Sequence, residues 1–309
     1  MKKHINRREF VKQCTAAGAA LVAAPSVTSA IETLVPAEKF TICTAVGDKY
    51  FDNTMKAVDG LGGMKKFVRK GSTVGILVNS PFGHIGTTTN PDISLAVVKM
   101  CLDAGAKQIL AINDISLRYW KRSAMYESMK SEVGAIGHSE EKKEVTIGRG
   151  KTLKKAEISQ TLLSCDTYIN IPIVKDHEGT RFTGNMKNVM GACSSSTCRF
   201  FHYGGKFSLF SGAYSNVELL SQCIADVQLV RQPDLCIVDA TEILTTNGPS
   251  GPGDIKKPKE VIAATNCVAA DMYAVRHLGL NPDDLPVFRF VREHGIGPAS
   301  VKDIVIKAV

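Results

Sequence analysis

Residues 73–113 read TVGILVNSPFGHIGTTTNPDISLAVVKMCLDAGAKQILAIN. Thr73 to Asn79 is a short apolar run closed by Ser80-Pro81, the form of a strand buried on both faces. Asn90-Pro91-Asp92 then supplies a helix start: a side-chain cap, a proline at the first helical position and an acid against the helix dipole. Ile93, Val97, Met100, Cys101 and Ala104 recur at helical spacing, and Gly105 ends the run. Gln108 to Asn113 is the next apolar strand. The stretch is a β-α-β unit.

The same alternation continues outward. Asp166 to Val174, Leu235 to Ala240, Val261 to Thr265 and Val301 to Val309 read as strands, and Val217 to Val230, Cys267 to Leu278 and Leu285 to His294 as helices. Together they predict an α/β fold, a largely parallel sheet flanked by helices. In such sheets ligands gather at the carboxyl ends of strands. Asn79, Asn113-Asp114, Lys175 and Asp239 all fall there and could converge. Two segments read as excursions from the core. Ser116 to Lys155 is Lys-, Glu- and Ser-rich, as a solvated insertion would be. Arg199 to Asn216 is aromatic and Gly-rich, with Phe200, Phe201, Tyr203, Phe207, Phe210 and Tyr214, as a loop-rich lid near the site would be.

The first thirty residues stand apart. Lys2, Lys3, Arg7, Arg8 and Lys12 make a basic opening, Cys14 to Ala24 an Ala/Gly-rich apolar run, and Val27-Thr28-Ser29-Ala30 a small-residue cleavage region. This is the order of a signal peptide. The apolar run is far short of the roughly 20 residues that span a bilayer. Asn6-Arg7-Arg8-Glu9-Phe10-Val11-Lys12 is similar to a twin-arginine export signal, and the weakly hydrophobic run suits that pathway. The expectation is a twin-arginine signal peptide over 1–30 and one α/β domain over 31–309. The twin-arginine translocase would be a partner, and the location periplasmic or extracytoplasmic. After cleavage the chain would not be an integral membrane protein.

The net charge of +8 falls to +4 without those thirty residues, which hold five basic side chains and one acidic. With no basic stripe interleaved with aromatics, nucleic-acid binding is excluded as an expectation. Of nine cysteines, Cys43, Cys101, Cys165, Cys223, Cys236 and Cys267 lie in apolar surroundings, as small buried hydrophobes do. Cys193 and Cys198 read as exposed, with a small surface disulfide as the expected outcome and a redox pair as the alternative. No ferredoxin-type or zinc-ribbon spacing is present, so a protein-ligated iron–sulfur cluster is not expected.

Chemistry concentrates in Ile171 to Gly191, IPIVKDHEGTRFTGNMKNVMG. Lys175 and His177 follow an apolar run at once, and a Gly/Thr/Asn-rich loop carries Arg181, Lys187 and Asn188. Backbone amides freed by glycine, together with Thr183, Gly184, Asn188 and Gly191, form a candidate anion cradle for phosphate or carboxylate. It is not a phosphate loop of the Gly-Lys-Ser/Thr type. Lys175, His177 and Lys187 are the catalytic candidates, for acid–base work or carbonyl capture, because a lysine among cations has a lowered pKa. Asn79 and His84 would approach from the opposite side. His84, His177 and His202, or His177 and His202 with Asp239, form a candidate transition-metal set, with a loop hydrogen bond as the other reading of each histidine. The Gly248–Gly253 run would be either a linker or the mouth of the site.

Several of these residues carry a resemblance to the domain of unknown function 362 family. They are Asn79-x-Pro81, Thr89-Asn90-Pro91, Gly105-Ala106-Lys107, Lys175-x-His177, Thr183-Gly184-x-x-Lys187-Asn188-x-x-Gly191, Asp239, Gly248-Pro249 and Asp271. The chain departs from the family pattern at Asn266-Cys267, where an Asp-Pro is typical. Some members carry appended iron–sulfur clusters, but this chain lacks the cysteines for one. The residues and the resemblance together imply an exported α/β enzyme acting on an anionic small molecule or cofactor, of redox or isomerase type and metal-assisted if the histidines converge. A metal- or cofactor-dependent oxidoreductase is one such enzyme. The alternative is a non-catalytic binding or accessory protein.

Overall fold

A computed structural model describes residues 40–204 and 216–309. The segment expected to be a signal peptide lies outside the described residues, as does most of the aromatic segment expected to be a lid. The strands are β1 (Phe40–Val46), β2 (Thr73–Val78), β3 (Gln108–Ala111), β4 (Gly137–His138), β5 (Lys142–Thr146), β6 (Lys155–Ser159), β7 (Thr167–Ile171), β8 (Leu235–Ala240), β9 (Ile243–Leu244), β10 (Ile255–Lys256), β11 (Glu260–Ala264) and β12 (Ile304–Ala308). The helices are α1 (Tyr50–Gly60), α2 (Pro91–Asp103), α3 (Leu117–Trp120), α4 (Lys130–Gly134), α5 (Gln160–Ser164), α6 (Asn185–Asn188), α7 (Ser195–Tyr203), α8 (Val217–Val227), α9 (Cys267–Ala274) and α10 (Pro286–Glu293).

Eight strands form one sheet in the order β12-β1-β11-β8-β7-β2-β3-β4. β11 runs antiparallel to β1 and β8, and every other neighbouring pair is parallel. The α/β expectation holds, and the sheet is largely parallel as expected, with β11 as its one antiparallel strand. Strand alternation separates two apolar layers. Val74, Ile76 and Val78 of β2, Ile169 of β7 and Ile237 of β8 pack with α1 and α2. Leu77, Tyr168, Cys236 and Val238 point the other way, against α8, α9 and α10. Because both faces are covered, β7 and β8 are buried at every position, which is why they read as unbroken apolar runs. Among the described residues no helix is long and apolar enough to cross a membrane.

The segment 116–155 is solvated only in part: β5 is largely exposed, whereas the stretch before it is anchored to the core. Its helices are only four and five residues long, too short to show a period, but Tyr119, Trp120, Tyr126, Met129 and Val133 are buried. The Tyr119 hydroxyl meets Ser94 Oγ of α2 at 2.7 Å, and β4 closes the sheet edge. The proline at 172 also divides the long run expected over 166–174. It has no N–H for the ladder, so β7 stops at Ile171 and resumes as a bridge between Ile173 and Asp239.

The chain leaves β2 for β3 and β4, then returns to lay β7 on the other side of β2. That reversal opens a crevice above the carboxyl ends of β2 and β7. Asp239, at the end of β8, fastens its rim: Oδ2 accepts from Asn90 N at 2.6 Å, and Oδ1 accepts from Thr241 N and Thr241 Oγ1 at 2.8 and 2.6 Å. Asn90 is the cap of α2, its side chain accepting from Asp92 N. An Asp239→Asn substitution leaves one carboxylate oxygen's donors facing an amide N–H. It is expected to cost roughly 1–3 kcal/mol, read as a lower urea midpoint at unchanged m-value.

Candidate functional site

A cavity of about 540 Å³ fills the crevice. Asn79, Pro81 and Phe82 enter from the loop after β2, Asn113 from the loop after β3, and Lys175, His177 and Thr183 from the loop after β7. Lys187, Asn188, Met190 and Gly191 come from α6 and the turn behind it, His202 from α7, and Pro249 from the Gly/Pro-rich run. Both candidate lysines and His177 therefore line one cavity, a convergence the sequence led us to expect.

Lys175 is only 1% exposed. Its Nζ donates to Thr87 O at 2.6 Å and, at 3.5 Å, to Asn79 Oδ1, and it lies 4.4 Å from the centre of the Phe82 ring. Every one of these partners is neutral. Burial, and then the Lys187 charge, pull its pKa down to about 7. Lys187 has a poorer partner still, the Met190 thioether at 3.7 Å. Burial lowers it to about 8. His177 is held neutral by burial first and then by Lys187, Lys175 and His202. Its Nδ1 accepts from Gly179 N at 2.9 Å, which assigns the ring proton to Nε2. His202 is also shifted down, by burial and by Lys187. Among the described residues the lining contains no Asp or Glu.

A relay of carboxamides builds the floor. Asn79 Nδ2 donates to Asn188 Oδ1 at 3.0 Å, Asn188 Nδ2 to Asn170 Oδ1 at 2.7 Å and to Leu77 O at 3.2 Å, and Asn170 Nδ2 to Asn185 O at 2.9 Å. Asn113 replaces the next ladder residue of β3: its side chain accepts from Val78 N and donates to Val78 O. Thr183 N donates to Lys175 O at 2.9 Å, placing Thr183 beside the lysine. Its hydroxyl is buried and has no hydrogen-bond partner.

The backbone cradle expected at Thr183–Gly191 is already filled, and this corrects the sequence reading. Asn185 N and Asn185 Nδ2 donate to Asp271 Oδ1 at 2.7 and 2.9 Å, and Met186 N donates to Asp271 Oδ2 at 2.9 Å. The amides that would have held a guest hold the protein's own carboxylate. Gly184 is required for room rather than for a left-handed turn. Its φ is −158°, and a Cβ there would collide with Asp271 Oδ1 and the Phe182 ring. Only the side chains of Thr183, Lys187 and Asn188 remain for a ligand.

Other expected residues fall outside the cavity. His84 is exposed in the loop before Gly86, and Arg181 is exposed at a turn corner with φ 61°. Asp239 is consumed by Asn90 and Thr241 and lines no part of the cavity. The His177/His202/Asp239 metal set is therefore not assembled, and among the described residues no three His, Cys, Asp or Glu side chains are grouped to hold a metal. The expected Cys193–Cys198 disulfide is not formed either. Both are free thiols; Cys193 is buried with Sγ toward Val189 O, and Cys198 Sγ faces Met190 O. The Gly248–Gly253 run serves the mouth of the site. Gly248 N donates to Asp176 Oδ2 at 2.9 Å, a Cβ at 248 would overlap the Asp176 carbonyl, and Pro249 reaches the cavity.

Phe82, Met190 and Asn170 were missed by the sequence reading. Asn170 had a signal, a carboxamide inside the apolar run Tyr168-Ile169-Asn170-Ile171, since a buried polar group needs a partner. Phe82 and Met190 had none. The unpartnered Thr183 hydroxyl gives a direct test. Thr183→Val is expected to leave the free protein as stable or up to about 1–2 kcal/mol more stable, because it removes a buried group with no bond. The same variant is expected to bind its ligand more weakly. Thermal melts with and without ligand separate the two effects.

Two solved structures resemble the chain in outline. One is a Thermotoga maritima protein from a structural genomics effort, 11% identical with a TM-score of 0.43, covering 80% of this chain and 60% of that one. The other is the lactate racemase apoprotein from Thermoanaerobacterium thermosaccharolyticum, 14% identical with a TM-score of 0.43, covering 66% of this chain and 52% of that one. The chain thus spans little more than half the length of either. No curated protein matches it in sequence. A family model described as "Domain of unknown function (DUF362)" matches residues 76–276, which reach from β2 to just past α9 and enclose every residue lining the cavity. The chain belongs to the domain of unknown function 362 family.

Proposed function

We propose that this protein is an enzyme that binds an anionic small molecule, a carboxylate or phosphate compound, and moves a proton on it. The observation that carries this reading is a cavity lined by two lysines and an unpartnered hydroxyl, with no Asp or Glu among its described lining residues. An ammonium group taken out of water without a counter-charge costs several kcal/mol. A fold keeps two such groups together when the counter-charge arrives with the guest.

The roles divide by geometry. Lys175, bonded to Thr87 O and stacked on Phe82, is fixed in place and fastens the anionic group, whose charge holds it in the protonated form. The neutral imidazole of His177 offers Nε2–H to an oxygen of the guest, polarising it without protonating it. Lys187, whose hydrogen-bond partner among the described residues is a thioether, is free to exchange its proton, and a pKa of about 8 suits an acid–base group near neutral pH. Asn79, Asn113 and Asn188 shape the floor. This set fits isomerase-type proton transfer at a carbon next to the charged group.

Lys175→Met and Lys187→Met are expected to abolish turnover and weaken anion binding by about tenfold or more, without loss of thermal stability. The folded state depresses both lysines, so it binds fewer protons than the unfolded chain between pH 7 and about 10. Stability of the ligand-free protein should therefore rise with pH across that window, and the double Met variant should lose that rise. Collapse of both single variants would assign the lysines structural roles. Tight anion binding with no turnover of any bound compound would make the protein a carrier.

We also infer that the protein is exported through the twin-arginine translocase and works in the periplasm. The support is the Arg7-Arg8 motif with Phe10 and Lys12, ahead of a short Ala/Gly-rich apolar run. Replacing Arg7 and Arg8 together by lysine should leave the precursor in the cytoplasm on cell fractionation. Continued export of that variant would point to the general secretory route instead.

A further inference from the structure

The charges around the cavity narrow the guest, an argument that rests on the anion-binding reading above. Lys175 reaches the cavity from the loop after β7, and Lys187 from α6. His177 lies beside Lys175, while Lys187 acts on His202 and on the Cys198 thiol of α7. The acid nearest in sequence, Asp176, turns its carboxylate to Gly248 N. We propose that the guest is a divalent oxyanion, a phosphate monoester or a dicarboxylate, which sets two negative charges against the lysine pair and draws a proton into the site as it binds.

In the ligand-free cavity the Lys187 charge opposes that of Lys175, and burial disfavours the charged form of both. Lys175 falls to about 7 and Lys187 to about 8, so near neutral pH the site holds fewer than two lysine protons. A divalent oxyanion favours the charged form of both lysines, and the missing proton enters with it. A monovalent anion compensates one lysine and leaves the other opposed. The buried Thr183 hydroxyl, next to Lys175 across the Thr183 N to Lys175 O bond, is a donor ready for one of the guest's oxygens.

The direction of the pH dependence follows. Binding raises the lysine pKa values, so affinity is flat below about pH 7 and weakens as pH rises above it. A phosphate monoester also loses its second charge below about pH 6, so its affinity should peak near neutrality. A dicarboxylate, both groups ionised above roughly pH 5, should keep full affinity on the acid side. The shape of the profile separates the two chemistries.

Isothermal titration calorimetry of the purified protein at pH 7.5 tests this with inorganic phosphate, malonate and acetate. Each titration is run in two buffers of different ionisation enthalpy. The expected result is that a divalent probe binds at least about tenfold tighter than acetate, with proton uptake on malonate binding, and that Lys187→Gln narrows this preference to within about threefold. Equal affinity for acetate and the divalent probes, or malonate binding without proton uptake, overturns the divalent assignment and leaves the anion site standing. Failure of all three to bind overturns the anion site and this assignment with it.

Discussion

The buried carboxylate of Asp271 fixes the arrangement of the site. It lies on α9, yet three donors from Asn185 and Met186 converge on it, at the first turn of α6. Anions stabilise helix starts by meeting the amides that have no partner within the helix. Here the anion is internal, and it holds a four-residue helix that would not persist alone. Lys187 and Asn188 reach the cavity because that helix is held. Gly184 permits the approach, and the Asn170 and Asn188 amides tie the helix to β7 and β2. Displacing α6 would move a lysine and the carboxamide relay together.

Much of this was visible in the residues themselves. The unit from Thr73 to Asn113 announces its strands, cap and stop, and the observed β2, α2 and β3 begin where those signals lie. The convergence of Asn79, Asn113 and Lys175 followed from placing them at strand carboxyl ends, and that of His177, Lys187 and Asn188 from the loop that Lys175 opens, while Asp239, placed at a strand end too, does not reach the cavity. What could not be read depends on partners distant in sequence. Asp271 stands 86 residues from Asn185, so the glycine-rich loop looked like an open cradle when it was an occupied one. The antiparallel course of β11 was also hidden, because an apolar run buried on both faces carries no sign of direction. Tyr119 and Trp120 anchor a segment whose helices are too short to show a period.

The remaining step concerns how charge is partitioned. Two fully buried carboxylates, Asp239 and Asp271, lie close to the cavity in the fold, and both belong to the recognisable motif positions. Burial pushes each up to about 6, while the amide, hydroxyl and carboxamide donors on each pull against that shift. Neither oxygen pair is left over for a lysine: Asp239 is saturated by Asn90 and Thr241, Asp271 by Asn185 and Met186. The acids thus serve the architecture, and among the described residues Lys175 and Lys187 keep only neutral partners. Had either carboxylate faced a lysine, the pair would have formed a closed ion pair with little to offer a guest. Backbone donors and cations instead occupy separate shells, one neutralising the fold's own anions and the other exposing positive charge inside a cavity. That separation leaves two lysines with neutral partners in a crevice at a strand reversal, which is the basis of the anion-binding proposal.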